Sequence, residues 1–342
     1  MRAAVLRNGE MVVDEVAEPV PGAGQVLVDV LACGICGSDL HFVRHGRTMV
    51  ELAADAMPMP MTLDFDRDIV MGHEFAAAVL EAGPDTVAPA SGTVVTSIPV
   101  LLEPTGIKNL AYSNDYPGAY AERMLLSAAM LLEVPKGLAP EHAALTEPMA
   151  VGVHAVNKSG IKPGEAAVVL GCGPVGLAVI ASLKLHGIET IVAADFSPAR
   201  RLLASTMGAT EVVDPKDEPA VEAWRRVDGR HTLVIFEAVG VTGMLGAAMR
   251  DAPPAARICV VGVCMEEDRI IPFHGIGKEL NVQFALGYDP GEFGATLRHI
   301  AEGDFDVAPL ITGTVDIAGV PAAFDELASP DKHAKILVRP RR

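Results

Sequence analysis

Residues 166–176 read AAVVLGCGPVG, and no other stretch narrows the possible folds as much. A short apolar run, Ala166–Leu170, leads straight into Gly171, Gly173 and Gly176, a G-x-G-x-x-G turn. A helical segment from Pro174 to His186 follows, with Gly187 as its stop signal. The first glycine permits the tight turn, the second lets a pyrophosphate approach the backbone, and the third lets helix and sheet pack closely. The helix N-terminus offers N–H groups and a positive dipole end to phosphates. Pro174, near the first helical turn, removes no N–H that the helix needs. The spacing is weak evidence by itself and gains weight from its strand–turn–helix context. A second strand, Thr190–Ala194, ends at Asp195, about twenty residues on, where a carboxylate can accept both adenosine ribose hydroxyls and repel a 2′-phosphate. The expected coenzyme is therefore NAD rather than NADP. Arg200 and Arg201 follow shortly, and an arginine there can hold a 2′-phosphate; the reading preferred here is a solvated helix face near the adenine, with Arg200 among the coenzyme contacts.

The same alternation continues along the chain: helix Ser197–Met207 stopped by Gly208, strand Glu211–Val213, helix Ala220–Val227, strand Thr232–Phe236, a further helix, and strand Arg257–Val263. Strands alternating with helices predict βαβ units and a parallel sheet, an α/β fold. The first third reads differently. Ala3–Leu6, Met11–Val16 and Gln25–Ala32 are Val-rich runs separated by turns such as Pro21-Gly22-Ala23-Gly24, which predicts a compact β domain. A chain of 342 residues is about right for two such domains. The tail from about 289 returns to mixed elements and ends in a predicted strand, Lys335–Val338.

The net charge of −17, from 27 basic and 44 acidic residues, repels phosphate backbones and anionic lipid, so neither nucleic acid nor a membrane surface is an expected partner. No signal peptide or bilayer-spanning run is read from the sequence, which predicts the cytosol. Five cysteines, Cys33, Cys36, Cys172, Cys259 and Cys264, are an odd and sparse set that argues against a disulfide scaffold. Metal binding or core packing is expected instead.

Three places concentrate ligand-type side chains: Cys36 with Ser38, Asp39 and His41 in CGICGSDLH; Gly72-His73-Glu74; and Thr146-Glu147-Pro148. Thiolate, imidazole and carboxylate are all competent zinc ligands, and ligands dispersed along a chain suit a catalytic site that keeps one position open. Each residue alone has a plainer reading: His73 as a satisfied histidine, Glu147 as a turn residue, Cys36 as a small buried side chain. Their conjunction with the nucleotide turn raises the catalytic reading. A methyltransferase shares the Gly-rich turn but has no need of these residues.

Taken in order, CGICGSDLH, GHEF (72–75), GAYAE (118–122), EPMA (147–150) and VVLGCGPVGL resemble the zinc-dependent medium-chain alcohol dehydrogenases, most of all the sorbitol, threonine and butanediol dehydrogenase branch. The resemblance covers nearly the whole chain. It implies a GroES-like catalytic domain over 1–149, rejoined by 289–342, a Rossmann NAD-binding domain over 150–288, a cleft between the two, and a homodimer or homotetramer. By resemblance Cys36, His73 and Glu147 are zinc ligands, with Glu74 ligating in some members or states. Ser38 takes the alcohol proton and His41 is the outer end of the relay; these with Cys36, His73 and Glu74 form the catalytic set. Asp39 is an acid behind the ligands. Coenzyme contacts fall to Gly171, Gly173, Pro174, Val175, Gly176, Asp195 and Arg200, and Val261-Gly262-Val263 resembles the segment whose backbone holds the nicotinamide amide.

The chemistry supports these roles. Alcohol oxidation removes a proton and a hydride. Zinc lowers the alcohol pKa, and Ser38, too weakly acidic to be the final base, can pass the proton through the coenzyme ribose to His41. The expected activity is reversible oxidation of a secondary alcohol or polyol to a ketone with NAD. Zinc-free quinone or enone reduction, a non-catalytic nucleotide-binding relative, and thiol–disulfide exchange at Cys33 and Cys36 are the alternatives. Many relatives carry a second, structural zinc on four clustered cysteines. The stretch Ser91–Pro117 has no cysteine, so one catalytic zinc and no structural zinc are expected, with that lobe held by packing or subunit contacts. The stretch from His45 to Met71 is longer than usual for the family. Its Met49, Met57, Met59 and Met61 are read as a surface loop or small extra helix, or else as an adaptable apolar wall for substrate.

Overall fold

The strand Gln25–Gly34 carries the N-terminal part of the fold. Its β-branched Val26, Val28 and Val30 are buried on one face, and on the other only Asp29 and Leu31 are partly exposed while Leu27 and Cys33 are buried, so both faces are largely covered. In the computed structural model, which describes residues 1–57, 61–329 and 331–341, this strand pairs antiparallel with Glu74–Ala82, Arg123–Ser127 and Lys335–Val338. Val94–Thr96, Leu132–Glu133 and Ile311–Val315 complete a seven-stranded sheet. A separate hairpin, Arg2–Arg7 with Glu10–Glu15, packs into the same core.

The chain divides into two compact units. The first holds Met1–Glu147, Ile311–Ser329 and the segment from Lys335 onward; the second holds Pro148–Leu310 and 331–334. The return to the first unit thus falls at Ile311 and not at 289. The intervening helix, Pro290–Glu302, is held in the second unit by Glu292, whose carboxylate lies 2.7 Å from His154 Nδ1 and accepts from Asn157 Nδ2 at 2.8 Å.

In the second unit, six parallel strands lie in the spatial order Glu211–Val213, Thr190–Ala194, Ala166–Leu170, Leu233–Glu237, Arg257–Val260, Asn281–Phe284. In chain order this is 3-2-1-4-5-6, the doubly wound dinucleotide-binding arrangement. The fifth strand stops at Val260, short of the expected Val263, because the amides of Val261 and Gly262 both turn to the Glu237 carbonyl at 2.8 Å.

The long stretch after His45 begins as helix, which ends at Ala56. The helix Gly37–Ala56 kinks at His45 (φ −134°, ψ 23°) and continues, and Met49, Val50, Leu63 and Phe65 pack on the first unit's core. Met59 lies outside the described residues. The cysteine-free lobe is a hairpin, Val100–Glu103 with Gly106–Asn109, that buries Leu101 and Leu110. It is tied to the stretch before Gly72 by the Asn114 amide, which exchanges hydrogen bonds with the Asp64 backbone at 2.8 and 2.9 Å, and by an Arg67–Asp115 ion pair of 2.8 Å. No helix among the described residues is long and apolar enough to cross a membrane.

Candidate active site

Strand register assembles the first unit's site. Gly34 pairs with Glu74 and also with Leu337, so the residues just past Gly34, just before Glu74 and two before Leu337 converge. These are Cys36, His73 and Lys335. Cys36 caps the helix Gly37–Ala56, and Asp39, in its first turn, accepts from the Cys36 amide at 3.2 Å. Gly72 presents His73 from a left-handed conformation (φ 99°); a Cβ there would come within 2.7 Å of the Tyr120 ring, so only glycine fits.

One ligand atom each from Cys36, His73 and Glu74 lies within 4.8 Å of the others. This donor set of sulfur, imidazole and carboxylate fits a divalent zinc. His73 is buried and its Nδ1 has no hydrogen-bond partner; the Asp39 carboxylate stands 3.5 Å from it. A carboxylate behind a ligating imidazole is the common support for a metal-bound histidine. Burial by itself would lower the His73 pKa, but Asp39 and Cys36 raise it well above its ordinary value. Burial would raise that of Asp39, but His73 and the hydroxyls of Tyr120 and Tyr112 outweigh it and bring it below 3.8.

Glu147 falls outside the three-residue group, and its charge is felt at Lys335 instead. Lys335, absent from the sequence-predicted site, is fully buried and spans both Glu74 oxygens at 2.7 Å and the Ile35 carbonyl at 3.0 Å. Burial disfavours its charge, yet Glu74 raises its pKa overall. Two tyrosines were also missed. Tyr120 donates to Asp39 at 2.6 Å and Tyr112 donates to it at 2.8 Å. Tyr120 sits in the quoted GAYAE stretch and the terminal strand around Lys335 was predicted, but nothing in the sequence singled out Tyr112.

Ser38 is partly exposed, 3.0 Å from the Tyr112 hydroxyl. His41 is exposed one helical turn further on, and burial together with His45 and Arg44 lowers its pKa below 6.5. Cys33 is fully buried in the core, unpaired, and burial raises its thiol well above the ordinary range. A thiol so disfavoured as a thiolate is a poor partner for disulfide exchange.

The second unit holds the nucleotide turn. A Cβ at Gly176 would lie 1.9 Å from the Gly171 carbonyl, and Gly171 has φ 90°, whereas a Cβ at Gly173 would meet only Arg200 at 4.0 Å. Strand and helix therefore touch at Gly176, and the backbone at Gly173 is open to a ligand, with Pro174 and Val175 following in the first helical turn. Asp195 accepts from the Cys172 and Ser197 amides at 2.8 Å each, and Arg200 stands 3.9 Å from it. Arg201 is committed to the Asp195 and Phe196 carbonyls and to Asp214. Val261 is buried, while Val263, on the same segment, is exposed.

A metal-competent donor set in a β-rich unit and a phosphate-binding turn in a doubly wound unit together define a coenzyme- and metal-dependent enzyme class. Comparison with known proteins identifies it. Residues 22–136 match the alcohol dehydrogenase GroES-like domain family and residues 174–302 the zinc-binding dehydrogenase family. The (R,R)-butanediol dehydrogenase of Bacillus subtilis (strain 168) is 32% identical over 99% of this chain and 100% of its own length. The sorbitol dehydrogenase of the same organism is 26% identical over 100% and 98%. Among solved structures, 2R,3R-butanediol dehydrogenase from Bacillus subtilis superposes with a TM-score of 0.85 at 30% identity, covering 99% of each chain. A Sinorhizobium meliloti 1021 protein described as a zinc-binding dehydrogenase, solved with NADP, gives 0.83 at 28%, again over 99% of each. The chain belongs to the zinc-dependent medium-chain alcohol dehydrogenase family.

Proposed function

We propose that this protein is a zinc- and NAD-dependent dehydrogenase that interconverts a secondary alcohol or polyol and its ketone. Alcohol–ketone oxidoreduction is the activity of its family, and the relatives named above include butanediol and sorbitol dehydrogenases. The observation that carries the reading is the convergence of Cys36, His73 and Glu74. These three would hold one zinc, with Glu147 as a further carboxylate ligand; when bound, the metal supplies Lewis acidity toward the substrate oxygen and the nicotinamide accepts the hydride. Asp39 orients the His73 ring. Ser38, partly exposed beside Cys36, takes the alcohol proton at Oγ, and His41, exposed one turn further along the helix, serves as the outer acceptor. The Cys36, His73 and Glu74 set argues against zinc-free reduction.

NAD rather than NADP is supported by Asp195 at the end of the second strand and by Arg201 being occupied within its own unit. Val261, Gly262 and Val263 are proposed to line the nicotinamide. A homo-oligomer is supported by the last strand of the parallel sheet, where Phe284 is 63% exposed, by Leu286 just beyond it at 66%, and by Phe273 and Ile276 on the helix before it, both 74% exposed. A small-molecule substrate and a cytoplasmic setting complete the proposal.

The test is a metal analysis of purified protein combined with NADH formation from a panel of secondary alcohols and polyols, with NADP in parallel. One zinc per chain and turnover with NAD are expected. Active protein without zinc would sink the metal reading, and a clear preference for NADP would refute the role given to Asp195.

A further inference from the structure

Tyr112 reaches into the proton-transfer site from the cysteine-free lobe, and its hydroxyl touches two groups. It donates to Asp39 Oδ1 at 2.8 Å and lies 3.0 Å from Ser38 Oγ. A phenol has one proton to give. Asp39 also receives the Tyr120 hydroxyl at 2.6 Å and the Cys36 amide at 3.2 Å, so it serves as an acceptor on both oxygens. With the phenolic proton committed to Asp39, the contact to Ser38 runs the other way: Ser38 donates and Tyr112 accepts. A serine hydroxyl also has a single proton, so its lone pairs are left facing outward. We propose that Tyr112 is a positioning residue that fixes the direction of the Ser38 hydroxyl while an alcohol binds and so presents Ser38 as an acceptor to the incoming alcohol O–H; passing a proton on toward His41 then requires the Ser38 hydroxyl to turn away from Tyr112 as it takes the alcohol proton.

The ring is held rigidly enough to do this. It packs against Phe42, with centroids 4.8 Å apart, and against His73 at 5.6 Å. The preceding residue, Ala111, is fully buried and adopts a left-handed φ of 71°. A non-glycine residue persists in that conformation only where its surroundings over-determine it, and such positions gather at functional sites. The consequence is selective. An alcohol, which donates a hydrogen bond, gains from a Ser38 locked as acceptor. A ligand that only accepts gains nothing and must turn the serine away from Tyr112.

This inference rests on the proposed role of Ser38, and the experiment separates the two. Calorimetry on the zinc- and NAD-loaded protein compares 2,2,2-trifluoroethanol, a hydroxyl donor that resists oxidation, with dimethyl sulfoxide, an acceptor only. Tyr112→Phe keeps the ring and its packing. It should weaken trifluoroethanol about fivefold to tenfold, the worth of one hydrogen bond, change dimethyl sulfoxide less than about twofold, and leave the zinc content at one per chain. In a Ser38→Ala background the same change should cost trifluoroethanol less than about twofold, because Tyr112 then has no serine to orient. Equal weakening of both ligands, an undiminished loss in the Ser38→Ala background, or loss of zinc would each show Tyr112 acting through Asp39 and packing, and would overturn the inference. If Ser38→Ala alone leaves trifluoroethanol binding unchanged, the role of Ser38 itself falls, and this inference with it.

Discussion

The nucleotide turn and the metal site are built over different distances along the chain. At the turn, Gly171 to Gly176 are contiguous, and the Asp195 carboxylate closes on the Cys172 amide from 23 residues away. At the metal site, Tyr112 and Tyr120 reach Asp39 across 73 and 81 residues, and Lys335 reaches Glu74 across 261. The turn needs backbone shape, which glycines supply locally. The metal site needs ionised carboxylates in a dry interior, and each such charge must be paired or hydrogen-bonded. Those partners come from whichever strands and loops the sheet brings alongside. A phosphate site can therefore be compact in sequence, while a buried ligand site recruits partners from the whole unit.

Breaking the metal site should cost most. Cys36→Ser is expected to abolish zinc binding and lower kcat at least about a thousandfold, the loss of several kcal/mol of transition-state stabilisation. Cys33→Ser should keep its zinc, since Cys33 is packed in the core. Metal analysis and turnover of both variants check this, and equal loss in the two would restore the dithiol alternative. Next comes the long-range partner. Lys335→Met leaves Glu74 buried without a counter-charge, which should destabilise the metal-free protein by about 3–5 kcal/mol in denaturant titration. Because the folded pKa of Lys335 is raised, its contribution should be complete below pH 10.5 and lost as pH climbs through the folded value. A loss under about 1 kcal/mol would mean that water already screens the pair.

The nucleotide turn should be less costly to alter. Asp195→Asn is expected to raise the KM for NAD by about tenfold to a hundredfold, one charge-assisted hydrogen bond, and to narrow the gap to NADP. An unchanged coenzyme ratio would argue that Arg200 and its surroundings set the preference. The smallest effect concerns the acid limb of stability. The Asp39 pKa is lowered on folding, so its contribution holds above 3.8 and fades as pH falls through the folded value. Asp39→Asn should remove up to about 1.4 kcal/mol per pH unit of slope there. A wild-type slope retained in the variant would place the acid sensitivity elsewhere.

Much of this molecule was legible before its structure. The strands Ala166–Leu170, Thr190–Ala194 and Glu211–Val213 and the terminal strand Lys335–Val338 are found at the residues their apolar runs indicated. Punctuation by glycine, such as Gly208 after Met207, marked helix ends because few other residues accept the required φ. The misjudged boundary, 289 in place of 311, shows the limit. The helix Pro290–Glu302 is locally unambiguous, but its membership in the second unit depends on Glu292 meeting His154 and Asn157, which no local pattern records.

The site divides along the same line. Residue type and order were enough to nominate Cys36, Ser38, His73 and the glycine turn, because zinc chemistry and phosphate binding each demand particular atoms. Only the tertiary structure showed that Cys36, His73 and Glu74 meet while Glu147 stands outside them, and that Lys335, Tyr112 and Tyr120 hold the two buried carboxylates. Reactive atoms announce themselves by their chemistry, wherever they stand in the chain. The groups that neutralise and orient them are ordinary lysines and tyrosines, and what makes them part of the site is the strand register that sets Gly34 against both Glu74 and Leu337.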